Sequence, residues 1–202
     1  MSLSDLLSTK IILASKSPRR KQLLEQMGFE VEVETIDVNE DYPKDIDINF
    51  VAEYLAIKKS ENYTKKIDDN SILVTSDTIV IVDRIILGKP KDEVQAKQYL
   101  NLLSSKTHKV ITACCLKTNK KVKHFSVSSI VKFKSLTKEE IEYYVKNFKP
   151  YDKAGAYGIQ EWIGTIGIES IEGDYYNIVG FPCNKFFEFA KEIISWYCVD
   201  KS

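Results

Sequence analysis

Four short polar segments sit at the ends of apolar runs, where a core does not demand them and where function is usually carried. The first is Ser15-Lys16-Ser17-Pro18-Arg19-Arg20, which follows the apolar run Ile11–Ala14. Ser17 suits an N-cap and Pro18 the first helical position. Unpaired N–H groups and the positive end of the helix dipole then make a local anion site. The planar fork of Arg19 and Arg20 suits phosphate oxygens. Two cations at a helix N-terminus oppose the dipole, so the alternative, an incidental basic first turn, carries an electrostatic cost.

The second segment, Thr75-Ser76-Asp77-Thr78, lies between β-branched runs. A carboxylate there is desolvated unless it is paired, hydrogen-bonded or metal-bound. Asp77 is thus a candidate metal ligand or general base; the alternative is a turn or bulge using Ser and Asp as local hydrogen-bonders. The third, Gly88-Lys89-Pro90, is not a phosphate-binding P-loop, because Pro90 replaces the Ser or Thr that would meet magnesium and no glycine stands five positions before Gly88. Lys89 could still reach a phosphate, or it could be an exposed turn lysine. The fourth runs from Asp152 to Gln160 as DKAGAYGIQ. Its glycines permit close backbone approach to a ligand, and Gln160 offers both a donor and an acceptor to a base edge. The alternative is a flexible connector.

The remaining reactive residue types point elsewhere. His108 and His124 form no HxxH or HExxH, which argues against a zinc hydrolase, and His108 reads as a structural, hydrogen-bonded histidine. Ser105 lacks a GxSxG setting. Cys114, Cys115, Cys183 and Cys198 form no CxxC pair, and adjacent strand cysteines point to opposite faces, so all four read as free thiols. The stripe Tyr143, Tyr144 and Phe148 reads as helix core.

These segments need elements to hold them. The 202 residues are 44% apolar, enough for one large domain or for two lobes sharing a core. With 29 basic and 29 acidic residues the net charge is zero, which argues against general nucleic-acid binding. The run Ile11–Ala14 is too short for a signal sequence, and no run approaches a membrane span, so a cytoplasmic, non-membrane protein is expected.

The patterning predicts strands at Lys10–Ala14, around Phe29–Val33, at Ile72–Val74 and Thr78–Val82 with a polar break at Ser76-Asp77, at Ile85–Leu87, His108–Leu116 and Lys121–Phe133, and at Thr165–Ile171 and Asn177–Val179. Helices are predicted from Pro18 to Gly28, from Phe50 to Tyr63, after Asp92, after the capping box at Thr137, and from Cys183 to Trp196. Asp37–Ile46 is an acidic loop, and Pro150–Gln160 a loop rich in small residues. Helical crossovers and hairpins together predict a mixed α/β sheet. No linker divides the chain, so residues 1–202 are expected to form one domain of two lobes around a cleft.

Taken together and in order, the segments Ser15-x-Ser17-Pro18-Arg19-Arg20, Ser76-Asp77-Thr78, Gly88-Lys89-Pro90, Leu103-Ser104-x-x-Thr107-His108, Asp152–Gln160 and Gly180-Phe181-Pro182 resemble the Maf family of nucleoside triphosphate pyrophosphatases. The resemblance implies an elongated mixed α/β sheet with flanking helices and a deep cleft, of Maf and ITPase-like type, and a homodimer. It implies a divalent cation, magnesium, manganese or cobalt, and hydrolysis between the α and β phosphates. Carried onto this chain, it makes Asp77, Glu40, Lys59 and Gln160 catalytic. Ser15, Ser17, Arg19, Arg20, Thr78 and Lys89 become substrate-binding, and Glu40 and Asp77 metal-ligating. Arg20, Thr78 and Gln160 match the subgroup acting on thymidine and uridine triphosphates. The chain departs from the family at Ser76, where alanine is common, and at Glu161-Trp162, where glycine often follows the glutamine.

The chemistry is coherent. Arg19, Arg20, Lys59 and Lys89 can neutralise a triphosphate and its departing pyrophosphate. Glu40 and Asp77 can hold a hard cation through oxygen. A water oriented by a carboxylate would attack the α phosphorus. The rival function is a nucleotide-binding regulator of cell division and septum formation with residual turnover. Retention of two acids beside a phosphate site favours turnover.

Overall fold

The computed structural model describes residues 2–199, with side chains to residue 194. Its elements are α1 (Leu3–Leu7), β1 (Lys10–Ala14), α2 (Pro18–Gln26), β2 (Val31–Glu34), α3 (Val51–Glu61), β3 (Ser71–Val82), β4 (Ile85–Leu87), α4 (Glu93–Leu103), β5 (Thr107–Lys117), β6 (Val122–Phe133), α5 (Lys138–Phe148), α6 (Trp162–Gly167), β7 (Ile168–Glu172), α7 (Tyr175–Val179) and α8 (Cys183–Val199). The strands form one sheet in the order β2-β1-β3-β5-β6-β7, with β4 on β3. β1 runs parallel to β2 and β3, whereas β3–β4 and β6–β7 are antiparallel, so the sheet is mixed as expected.

Two compact units share the chain. One comprises Met1–Asp77, Thr112–Val127 and Gly180–Ser202; the other comprises Thr78–Ile111 and Ser128–Val179. In the first, parallel β1 and β3 are almost wholly buried, as strands covered on both faces are. Ile12, Ala14 and Leu73 pack with Tyr63 and Ile67. α2 starts at Pro18 as read, and its chain turns at Gly28, whose φ of 93° suits glycine after a helix. Ser17 occupies the N-cap position without a side-chain capping bond.

In the second unit, Asp92 caps α4 through the Gln95 N–H, and α4 buries Ala96, Leu100 and Leu103. The capping box of Thr137 and Glu140 opens α5, which buries Ile141, Tyr144 and Val145. Burying each such Leu or Ile side chain contributes roughly 1.5–3 kcal/mol.

Several expectations are corrected. β3 is one continuous strand through Ser76 and Asp77, not two. Thr165–Gly167 belong to α6, and the strand begins only at Ile168. Asn177–Val179 are helical, in α7: buried Asn177 donates from Nδ2 to the Val110 carbonyl and to Ser129 Oγ, contacts that pin a turn there. The Asp152–Gln160 loop contains a 3-10 turn, Ala154–Ala156. Of the aromatic stripe only Tyr144 is core; Tyr143 is 51% and Phe148 36% exposed. α1 was signalled by nothing above, although Ser2 and Asp5 form its capping box and Leu6 is buried. Cys114 and Cys115 are buried free thiols and Cys183 a half-buried one, while the side chain of Cys198 lies outside the described residues.

No helix among the described residues is long and apolar enough to cross a membrane.

Candidate active site

In the first unit the site is built around β3. Thr75 is fully buried and donates from Oγ1 to the Ala56 carbonyl at 2.6 Å, which fastens the strand to α3. Lys59 lies about one turn along α3 from Ala56. Its Nζ donates to Asp77 Oδ1 at 2.5 Å and to Glu40 Oε1 at 2.8 Å. One ammonium thus bridges an exposed carboxylate and a buried one, since the Asp77 residue is only 8% exposed. The neighbouring Lys58 turns away and donates to the Asp41 carbonyl at 2.7 Å. The segment carrying Glu40 has no regular structure and is tied to α3 through both lysines.

Burial pushes the Asp77 carboxyl above its usual range; Lys59 and then Arg20 oppose the shift without cancelling it. A carboxylate held in this way is a stronger base than an exposed one.

Arg20 is a strut as well as a cation. Its Nε donates to the Gly180 carbonyl at 3.0 Å, and its Nη1 donates to the Ser76 carbonyl at 2.7 Å and to Ser15 Oγ at 3.2 Å. Burial lowers the affinity of its guanidinium for its proton, while Asp77 raises it; an arginine stays charged regardless. Ser15 Oγ also accepts from the Ser17 N–H at 3.2 Å, so this hydroxyl shapes the turn into α2. Arg19 and Ser17 are half-buried on that turn. Beneath lie Ser76, 1% exposed, and Cys114, whose thiol burial pushes up to about 12. That thiol is inert as a nucleophile.

The second unit holds Thr78, Lys89 and Gln160. Thr78 is half-buried in β3, whereas Lys89 and Gln160 are exposed. The Gly155 N–H donates to the Gly88 carbonyl at 3.0 Å, so the Gly88-Lys89-Pro90 turn and the glycine loop are joined. Gly155 has φ 70°, and a Cβ there would crowd Val80 at 3.0 Å, so a larger residue would be strained. His108 is buried and structural, as expected. Its Nε2 lies 2.8 Å from the Tyr157 hydroxyl, and its ring meets Phe133 and Tyr157 edge-on. Burial lowers its pKa to about 4, so the ring is neutral at pH 7.

The structure therefore gathers Ser15, Ser17, Arg19, Arg20, Glu40, Lys59 and Asp77 in one unit, and Lys89 with the loop of Gln160 in the other. Thr75, at the head of the second segment, anchors the strand rather than facing a ligand.

Among the described residues no three His, Cys, Asp or Glu side chains cluster as a cation cage. Two carboxylates suffice for magnesium or manganese only where waters and substrate phosphates complete the shell.

The sequence pattern defining the Maf-like proteins matches residues 10–193, and the chain belongs to that family. It is 45% identical over 193 residues to a dTTP/UTP pyrophosphatase of Porphyromonas gingivalis, covering 94% of this chain and 97% of the relative. A dTTP/UTP pyrophosphatase of Phocaeicola vulgatus is 43% identical over 95% of this chain and the whole of its own length. One from Bacteroides thetaiotaomicron is 45% identical, covering 91% of this chain and 96% of that relative.

Proposed function

We propose that the chain is a nucleoside triphosphate pyrophosphatase that hydrolyses dTTP, UTP or modified pyrimidine nucleotides to the monophosphate and pyrophosphate, a housecleaning reaction. The names of near-full-length relatives support the reaction. The observation that carries the site is Lys59 Nζ set between Glu40 Oε1 and Asp77 Oδ1.

In this reading water adds to the α phosphorus, the bond from that phosphorus to the α–β bridging oxygen breaks, and the water's proton passes to Asp77. The raised affinity of Asp77 for a proton suits it to that task. Lys59 keeps the carboxylate aimed and adds positive charge where a phosphate must sit. Arg19 and the α2 N-terminus bind phosphate oxygens, with Arg20 holding the turn in shape while adding charge. Lys89 stabilises the leaving pyrophosphate. Gln160 reads the pyrimidine edge, and Thr78 belongs to the same subgroup pattern. A magnesium, manganese or cobalt ion would be held by Glu40 and Asp77 together with substrate phosphate, and would supply charge neutralisation to the phosphoryl oxygens. A cytoplasmic homodimer fits the free thiols and the family.

The test is pyrophosphate release from a panel of normal and modified triphosphates, with each cation and without. dTTP and UTP should exceed ATP and GTP in kcat/KM by at least roughly tenfold. Phosphorus NMR should find monophosphate and pyrophosphate; diphosphate plus orthophosphate would refute the reaction.

A further inference from the structure

Glu161 immediately follows Gln160 and stands at the N-cap position of α6, yet its side chain makes no capping bond there. It turns back instead. Its Oε2 accepts from the Tyr144 hydroxyl, and its Oε1 accepts from Lys153 Nζ at 2.9 Å. The Tyr144 oxygen in turn accepts the Gly158 N–H at 3.0 Å, and Lys153 Nζ also meets Asp152 Oδ1 at 2.7 Å. Three side chains from α5, the loop and the head of α6 thus bind the loop at both of its ends. The lysine side chain is only 10% exposed, so these are charge-assisted bonds in a poorly solvated place, where they are strongest.

The packing has been fitted to this arrangement. A Cβ on Gly158 would sit 2.8 Å from Glu161 Cδ, so the carboxylate lies on bare backbone. A Cβ on Gly164 would sit 2.0 Å from the Ile159 carbonyl oxygen, so α6 closes directly on the residue preceding Gln160. Gln160 is itself exposed, but the residues on either side of it are fixed.

We propose that Glu161 is a positioning residue for base selection: through Tyr144 and Lys153 it sets the backbone from which Gln160 meets the nucleobase. This rests on the reading of Gln160 given above. A hydrogen-bonding side chain displaced by about 1 Å loses much of its discrimination, so a loosened loop should lose selectivity before it loses chemistry.

The experiment measures kcat and KM for dTTP and GTP in the full-length protein and in Gln160→Ala, Glu161→Ala, Glu161→Gln and Tyr144→Phe, with melting followed alongside. Glu161→Ala and Tyr144→Phe should each lower the dTTP-over-GTP ratio of kcat/KM roughly tenfold, through KM for dTTP, with kcat within about twofold. Glu161→Gln can still accept from Lys153 and bond the tyrosine hydroxyl, and should restore most of the ratio. The Tyr144→Phe/Glu161→Ala double variant should be no worse than either single change. If Glu161→Ala fails to fold, Tyr144→Phe carries the test. A ratio unchanged in both, in proteins where Gln160→Ala collapses it, overturns the bridge alone. A ratio unchanged in Gln160→Ala overturns the reading of Gln160 and the bridge with it.

Discussion

Lys59 grips Asp77 at 2.5 Å, while Lys58, its neighbour in sequence, reaches the Asp41 carbonyl. Consecutive helical residues point about 100° apart, so only one of the two can face β3. Lys59→Met should therefore lower turnover at least roughly 100-fold, and by stranding a buried carboxylate it should cost about 3 kcal/mol of stability. Lys58→Met should stay within about twofold of wild type in turnover. Steady-state kinetics and urea melts on the pair would decide it, and equal losses would put the site elsewhere.

Asp77→Asn should keep the fold and abolish turnover. In the cation-free protein burial raises the Asp77 pKa, so its carboxyl should take up a proton above the ordinary carboxylate range. A carboxyl titration followed by NMR that puts Asp77 within the ordinary range would contradict that burial.

Arg19 and Arg20 should separate by function. Arg20 binds two backbone carbonyls and a hydroxyl, so Arg20→Lys, which lacks the fork, should lower stability by about 1–3 kcal/mol as well as activity. Arg19→Ala should raise KM for the triphosphate. Calorimetry beside kinetics tests the strut; an Arg20→Lys protein as stable as wild type would contradict it.

His108 predicts an acid-sensitive fold. Its folded pKa, about 4, lies below the ordinary 6.5, so the unfolded chain binds the proton more readily. The contribution is complete above pH 6.5, falls as the pH drops toward 4, and totals about 3 kcal/mol. Urea melts from pH 7.5 to 4 should show the decline, and His108→Gln should flatten it. An unchanged slope in the variant would assign the decline to other groups.

Gly164→Ala tests the closure of α6 on the glycine loop. The added methyl would meet the Ile159 carbonyl at 2.0 Å, a backbone atom that cannot rotate away. A loss of about 1–3 kcal/mol or more is expected in chemical melts, far above the small gain that alanine normally gives a helix.

Much of this was legible in the sequence because local signals sufficed. Pro18, Asp92 and Thr137 mark helix starts by their own chemistry, and the segments Ser15–Arg20, Ser76–Asp77 and Gly180–Pro182 are joined through Arg20. The misreadings of β3 and α7 come from partners distant in sequence. Ser76 and Asp77 looked like a break in β3, but Arg20 takes the Ser76 carbonyl, Lys59 takes the Asp77 carboxylate, and Thr75 finds Ala56. With each polar group satisfied from elsewhere, the strand has no need to end. Asn177–Val179 carry β-branched residues, yet Asn177 holds them in a helical turn through contacts that no short window contains. The choice of Lys59 over Lys58 likewise depends on where β3 lies.

The continuity of β3 makes the gene intolerant of small length changes at one place. Side chains alternate along a strand, so deleting a single codon between Ile72 and Val74 while the upstream pairing with β1 holds would draw every later residue back one step. Thr78 would arrive where Asp77 stood, facing Lys59 with a hydroxyl, and the carboxylate would point to the opposite face. Substitutions along this stretch can be graded by size and polarity, but a frame-preserving indel there acts as an all-or-none lesion. Deletion scanning should show a sharply bounded dead zone, ending at Asp77, because a deletion beyond it leaves the carboxylate in place.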